Sequence, residues 1–407
     1  MKQLLGIDGG RVGLDRVVEM AQRHLGLDVA YVAEVTGGCQ VYRAVAGDAA
    51  SFKIAVDDGL PVEATYCQRL IDGEISNVIQ DTSAEPAVAD LPLTHEARIG
   101  AYIGVPLRLA DESLFGTFCC LNHEPDPTLD GRELRFMSML GELIVDDLNE
   151  ERRIERLRGD IEELIETQGV DVAYQPILDL RTERYLGLEA LARFPDPFPK
   201  AEKTLAASAA VGLGVELERL LVSRAWAMFD QIGPDQFLAI NLTPTALLEL
   251  ARRGNQREDL PLEQLVVEVT EHAAVDSYGA LRKELEPLRD RGMRIAVDDA
   301  GAGYASLRHV LELRPDFIKL DRSLCGGVCE DHARRVAVRG LVLLARDLGA
   351  EVIAEGIENL SDLSTIRELG IGAAQGFLFA KPSVDPAVIG RWIERPRRRS
   401  IAARRAS

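Results

Sequence analysis

Hydrophobic and polar positions divide the chain into three regimes. Between residues 12 and 25, Leu14, Val17, Val18, Met20, Ala21 and Leu25 recur at helical intervals and predict an amphipathic helix. Strand-like apolar runs follow at 29–35, 102–109 and 114–121, the last two separated by the turn-rich Ala110-Asp111-Glu112-Ser113. Helical periodicity returns near Asp130. This first regime reads as an α+β unit with hairpins.

Residues 131–168 read as one long helix, with Gly141 and Gly159 as weak breakers. Leu140, Ile154 and Ile161 share one seven-residue repeat; Leu143, Leu157 and Leu164 share another; Asp147 and Glu150 interrupt both. The pattern fits a helix paired between protomers. It fits equally a solvated linker helix packed on its own domain.

Past residue 170, short apolar runs recur at 186–188, 237–240, 265–269, 294–297, 317–320 and 351–354. Helical stretches such as 281–291 and 333–348 separate them. Strand–helix alternation over about 220 residues predicts a parallel sheet closed into a (β/α)₈-like barrel. The expected division is a sensor-sized unit at 1–140, a connecting helix at 141–169, a barrel at 170–390 and a tail at 391–407. That tail holds seven arginines and reads as a solvated, disordered end.

Composition narrows the function. Hydrophobic residues make up 46 % and charged residues 28 % of 407, the mix of a folded domain protein. Lys plus Arg is 47 against 66 Asp plus Glu, a net charge of −19, which argues against general nucleic-acid binding. An anionic ligand stays possible wherever metals invert the local field. The six cysteines include no CxxC pair, so neither a disulfide framework nor a zinc site is indicated. There is no signal-peptide core and no run near 18 apolar residues; the expectation is no transmembrane segment and a cytoplasmic address.

What ends each strand carries the chemistry. The run 186–188 leads into Glu189, and 237–240 into Asn241. The run 265–269 contains Glu268 and is followed by Glu271; 294–297 ends in Asp298-Asp299. The run 317–320 contains Lys319, and 351–354 leads into Glu355. In a parallel barrel these strand ends converge on one face. Taken singly, each has a plain alternative: a capping Glu, an Asp-Asp-x-Gly turn, a lysine on an edge strand. Together they predict a cluster of acids that only cations can neutralise. Every ligand is an oxygen, which suits two Mg²⁺ or Mn²⁺ ions rather than zinc.

The motifs Tyr174-Gln175-Pro176-Ile177, Glu189-Ala190-Leu191-Ala192-Arg193, Asn241-Leu242-Thr243-Pro244, Glu268-Val269-Thr270-Glu271, Asp298-Asp299, Phe317-Ile318-Lys319-Leu320-Asp321, Glu355-Gly356-Ile357-Glu358 and Gln375-Gly376-Phe377 resemble those of EAL phosphodiesterases, in family order. The resemblance implies metal-dependent hydrolysis of cyclic di-GMP to linear pGpG. It implies that Glu189, Asn241, Glu268 and Asp298 hold one metal, and that Asp298 bridges to a second held also by Asp299. Glu355 then acts near that second metal, directly or through water, and Lys319 positions and polarises the attacking water. Gln175, Arg193 and Gln375 contact the nucleotide, and Glu271 couples a loop to the contact in a homodimer. One departure stands out: the family usually has Phe where this chain has Ala300. Gly100-Ala101-Tyr102-Ile103-Gly104-Val105-Pro106-Leu107 and Gly116-Thr117-Phe118-Cys119-Cys120 resemble a GAF sensor domain, whose ligand the resemblance leaves unknown. Cys67 is either a redox or attachment site or a core residue. The alternative to an enzyme is a receptor that binds cyclic di-GMP and relays its occupancy to a partner.

Overall fold

The computed structural model describes residues 13–198, 200–254, 261–269, 277–300 and 304–393. The chain divides into two compact units, Met1–Arg156 and Leu157–Ser407. The helix Gly131–Glu166 runs through that division. Glu271 and most of the arginine-rich tail lie outside the described residues.

The first unit is a six-stranded sheet. Its strands are β1 (Val29–Thr36), β2 (Cys39–Gly47), β3 (Gly59–Pro61), β4 (Val78–Ile79), β5 (Ala101–Arg108) and β6 (Leu114–Asn122), in the order β3-β2-β1-β6-β5-β4. Alternation sends neighbouring residues to opposite faces. Ala30 and Val32 of β1 pack with Val17, Val18 and Ala21 of the helix Leu14–Leu25 and with Met137, Leu140 and Ile144. Val29, Tyr31 and Ala33 join Tyr42, Tyr66, Cys67, Tyr102 and Cys119 on the other face. The apolar runs left out β2. Its buried positions are Gln40, Tyr42 and Ala44, and a glutamine at the first of them breaks the apolar pattern. Cys67 is buried, hydrogen-bonded with Thr117 at 2.6 Å, and burial pushes its thiol well up, which makes it a core residue.

The second unit is a closed barrel. Its strands are β7 (Asp171–Asp179), β8 (Tyr185–Arg193), β9 (Phe237–Asn241), β10 (Leu265–Val269), β11 (Arg294–Ala300), β12 (Phe317–Leu320), β13 (Glu351–Ala354) and β14 (Ala373–Ala374). The sheet is not wholly parallel as the alternation suggested, because β7 runs against both β8 and β14. Only five residues, 180–184, join β7 to β8, and so short a link permits an antiparallel pair but no parallel crossover.

Inside the barrel, Ile177, Phe237, Ala239, Val266, Ala296, Phe317, Ile353 and Ala373 form a separate apolar cluster. The alternate residues Leu188, Leu238, Val267, Val297, Ile318, Ala354 and Ala374 belong to the larger core shared with the helices. Below the cluster, the Arg294 guanidinium lies 5.0 and 5.4 Å from the ring centres of Phe237 and Phe317. Gly187 lets β8 approach this layer. A methyl group there would strike the Phe237 carbonyl oxygen and lie 2.6 Å from a ring carbon. Gly187→Ala should therefore cost about 1–3 kcal/mol through overpacking, read from chemical denaturation of the purified protein. Among the described residues no helix is long and apolar enough to cross a membrane.

Candidate metal centre at the strand ends

The inward positions two residues beyond the apolar cluster are almost all polar. Ala239 is followed at that spacing by Asn241, Val266 by Glu268, Ala296 by Asp298 and Phe317 by Lys319. Ile353 is followed by Glu355, and Ala373 by Gln375. Glu189 stands two beyond Gly187, and on the reversed strand Gln175 stands two before Ile177 and directly opposite Glu189. A period of two keeps each pair on one face, so eight strands deliver one polar ring above one apolar floor. Glu189 is therefore a mid-strand residue, with β8 continuing to Arg193.

Lys319 is the hub of the ring. Its Nζ lies 3.1 Å from Glu189 Oε1, 2.6 Å from Glu268 Oε2, 3.2 Å from Asp298 Oδ1 and 2.8 Å from Glu355 Oε1. Asn241 Nδ2 donates to Glu189 Oε1 at 3.2 Å. Gln375 Nε2 donates to Glu189 Oε2 at 2.6 Å and to Glu355 Oε1 at 3.2 Å.

Asp299 enters by a different device. Successive strand residues ordinarily face opposite ways, but β11 slips register against β12 between Val297 and Ala300. Asp299 there takes a left-handed φ of 52°. The bulge turns Asp299 toward the same rim as Asp298 and returns Ala300, buried, to the helix-side core. Asp tolerates the left-handed region better than most residues.

The charges in the ring are unbalanced. Burial pushes the Glu268 carboxyl well above the usual carboxylate range; Lys319 opposes this, and Glu189, Asp298 and Glu355 add repulsion. Glu355 is raised in the same way, by burial first and by Asp298 and Glu189, against Lys319. Burial would also raise Glu189, but Lys319 and the Gln375 amide outweigh it and hold this carboxyl below its ordinary value. Burial alone would strip the Lys319 proton, yet the four surrounding acids hold its ammonium well above the usual lysine value.

The donor set fits divalent ions. Glu189, Glu268 and Asp298 offer oxygens within 4.8 Å of one another, and so do Asp298, Asp299 and Glu355. Three oxygens, Asn241 Oδ1, Glu268 Oε1 and Gln375 Oε1, are buried without a hydrogen-bond partner among the described residues. Buried acceptors without donors are costly, and hard cations are the partners that such oxygens suit. Glu268 belongs to the first of these groups and Asn241 is hydrogen-bonded to Glu189 of the same group, which places the unmet demand at the ring itself.

The other expected residues stand further out. Gln175 is buried, and its Nε2 donates to the Ala380 carbonyl at 3.0 Å. Arg193 is exposed at the end of β8, where its guanidinium bonds the neighbouring Ala192 carbonyl. Two cavities are bordered by a ring residue or by the chain neighbour of one. One of about 650 Å³ is bordered by Asn241, Asp299, Ala190 and Glu218; another of about 540 Å³ by Gly356, Asp321, Arg322 and Glu358. Glu218 escaped the strand-end pattern because it sits in the helix Gly214–Trp226. Its signal was an acid on the same helical stripe as Leu221 and Ala225.

Residues 158–382 match the family model of the EAL domain, and residues 12–146 that of the GAF domain. The bifunctional diguanylate cyclase/cyclic di-GMP phosphodiesterase MucR of Pseudomonas aeruginosa is 28 % identical over 308 residues, covering 71 % of this chain and 43 % of MucR. The chain thus spans less than half the length of the curated relatives it matches first. Among solved structures, the PaMucR phosphodiesterase in complex with c-di-GMP is 27 % identical with a TM-score of 0.50, over 56 % of this chain and 97 % of that one. An EAL domain protein from Listeria monocytogenes EGD-e, 23 % identical with a TM-score of 0.51 over 57 % and 95 % of the two chains, shares the fold.

Proposed function

The chain belongs to the EAL domain family and carries a GAF domain, and from that premise we propose that it hydrolyses one phosphodiester of cyclic di-GMP to give linear pGpG. The observation that carries this reading is the pair of carboxylate triads sharing Asp298 at the strand-end rim of the barrel. Two Mg²⁺ or Mn²⁺ ions held there would lower the pKa of water and neutralise charge developing on the phosphoryl group.

The chain's own residues prepare that chemistry. In this reading Glu189, Glu268 and Asp298, joined by the partnerless Asn241 Oδ1, supply one set of oxygens; Asp298, Asp299 and Glu355 supply the other. Lys319 keeps its proton and offsets the anionic ring. The Gln375 amide ties Glu189 to Glu355, fixing one side of the site. The cavity bordered by Asn241 and Asp299 is large enough for a nucleoside. Arg193, at the end of β8, carries an exposed charge suited to a phosphate oxygen or a guanine edge. Two further parts of the proposal are regulation by the GAF domain and a homodimer. Leu307 and Leu311, exposed four residues apart on the helix Tyr304–Leu313, support the latter, and light scattering measures it.

The deciding experiment incubates the full chain with cyclic di-GMP and Mn²⁺ or Mg²⁺ and separates the products. Accumulation of pGpG supports the enzyme. Binding without turnover assigns the receptor alternative instead.

Metal binding should depend on pH in a definite direction. Glu268 and Glu355 are raised above their ordinary value of 4.5 in the metal-free fold. Their contribution to stability is complete below that value and is lost as pH rises through the raised values. Glu189, lowered, acts oppositely: its contribution is present above 4.5 and lost as pH falls. A divalent ion needs all these groups ionised. Saturating Mn²⁺ should accordingly raise the melting temperature much more at pH 8 than at pH 5.5. A shift independent of pH would remove these carboxylates from the ligand set.

A further inference from the structure

We propose that Glu218 and Thr243 form a buried clamp that positions Asn241 for the metal, an inference that rests on the metal reading above. Asn241 is the last residue of β9, and in that reading its amide oxygen joins the ligand group of Glu189, Glu268 and Asp298. Its Nδ2 is engaged with Glu189, and its buried Oδ1 has no partner among the described residues. The direction of that oxygen depends on where the chain goes after β9.

Two contacts fix that path. On one side, the Leu242 N–H donates to the Glu268 carbonyl at 3.0 Å. On the other, Glu218 Oε2 accepts from the Thr243 N–H at 2.9 Å and from its hydroxyl at 3.1 Å. Thr243 also opens the next helix: its Oγ1 accepts from the Ala246 N–H at 3.3 Å, and its carbonyl from the Leu247 N–H at 2.8 Å. One residue therefore joins the strand end, the helix start and an acid from a different helix.

Glu218 is an expensive choice for packing alone. It is 4 % exposed, and among the described residues no cation pairs with it. Burial raises its carboxyl, and the two bonds from Thr243 only partly oppose that rise. The helix start beside it supplies partial positive charge. Filling the same space with an apolar side chain would avoid the desolvation cost. What such a side chain would lose is the double anchor two residues past Asn241.

A residue acting through a metal ligand changes metal affinity, whereas a purely structural one changes only the folded fraction. The test titrates Mn²⁺ into the purified full chain by calorimetry, well below the melting temperature. Glu218→Ala and Thr243→Val should each raise the Mn²⁺ Kd about 10- to 100-fold, the usual effect of losing an outer-shell partner, while Thr243→Ser keeps it near the wild-type value. Should Glu218→Ala fail to fold, the near-isosteric Glu218→Gln keeps an acceptor without the charge and should show a smaller rise. Wild-type Kd in the folded Glu218 variants overturns the clamp and leaves the metal reading standing. No Mn²⁺ binding by the wild type overturns both.

Discussion

Replacing Lys319 with methionine should destabilise the metal-free barrel by about 3–5 kcal/mol at neutral pH and lower hydrolysis of cyclic di-GMP at least about 100-fold. The ammonium lies within 3.2 Å of four carboxylates and is fully buried. Methionine fills a similar volume, so the loss is electrostatic: four acids remain with no internal cation. They can respond only by taking up protons or by moving apart. The destabilisation should therefore shrink on acidification, as protons replace the missing charge. Metal should behave oppositely to turnover. With the competing ammonium gone, Mn²⁺ should bind more tightly to Lys319→Met than to the wild type, and should restore much of the lost melting temperature. Weaker binding in this variant would mean that Lys319 holds the acids in place for the metal rather than standing in for it.

That arrangement is partly legible in the sequence. Val266-Val267-Glu268, Ala296-Val297-Asp298 and Phe317-Ile318-Lys319 repeat one phrase: apolar inward, apolar outward, polar inward. A strand buried on both faces has no polar residue to spare, so a charge at its end is informative wherever it recurs. The same phrase runs through Ile353-Ala354-Glu355 and Ala373-Ala374-Gln375. In β7 the phrase runs backwards, with Gln175 before Pro176 and Ile177, and the short link to β8 gives the physical reason for that reversal. The phrase could not separate Asp298 from Asp299. Alternation sends two adjacent residues to opposite faces, and only the register slip with a left-handed Asp299 brings them to one rim.

Glu218 marks a different limit. Its partner Thr243 lies 25 residues away and on another element, so no local pattern links them. Helix periodicity flags an acid on an apolar stripe without saying what it meets. The net charge of −19 was equally mute about the site, since the ring concerns only five acids among 66. Ala300 is instructive in the reverse sense. The resemblance marks an Ala where the family usually has Phe, and the structure buries Ala300 in the helix-side core, two residues past Asp298 but facing away from it.

Asp298→Asn should be the most damaging single change among the acids, because Asp298 alone among the described residues belongs to both carboxylate triads. Losing one charge there weakens both sets of oxygens at once. Asp299→Asn or Glu355→Gln touches only the second set. Calorimetry should count two Mn²⁺ per chain for the wild type, one for Asp299→Asn and Glu355→Gln, and no measurable binding for Asp298→Asn. Hydrolysis should fall by about 10³-fold or more in Asp298→Asn, since both the water and the phosphoryl group lose their electrostatic support. The metal-free protein should respond in the opposite sense. Asparagine removes one of the charges repelling Glu268 and Glu355, so the apo melting temperature should rise slightly or hold while metal stabilisation disappears. A variant that binds two ions as tightly as the wild type would show that the triads do not share a bridging acid.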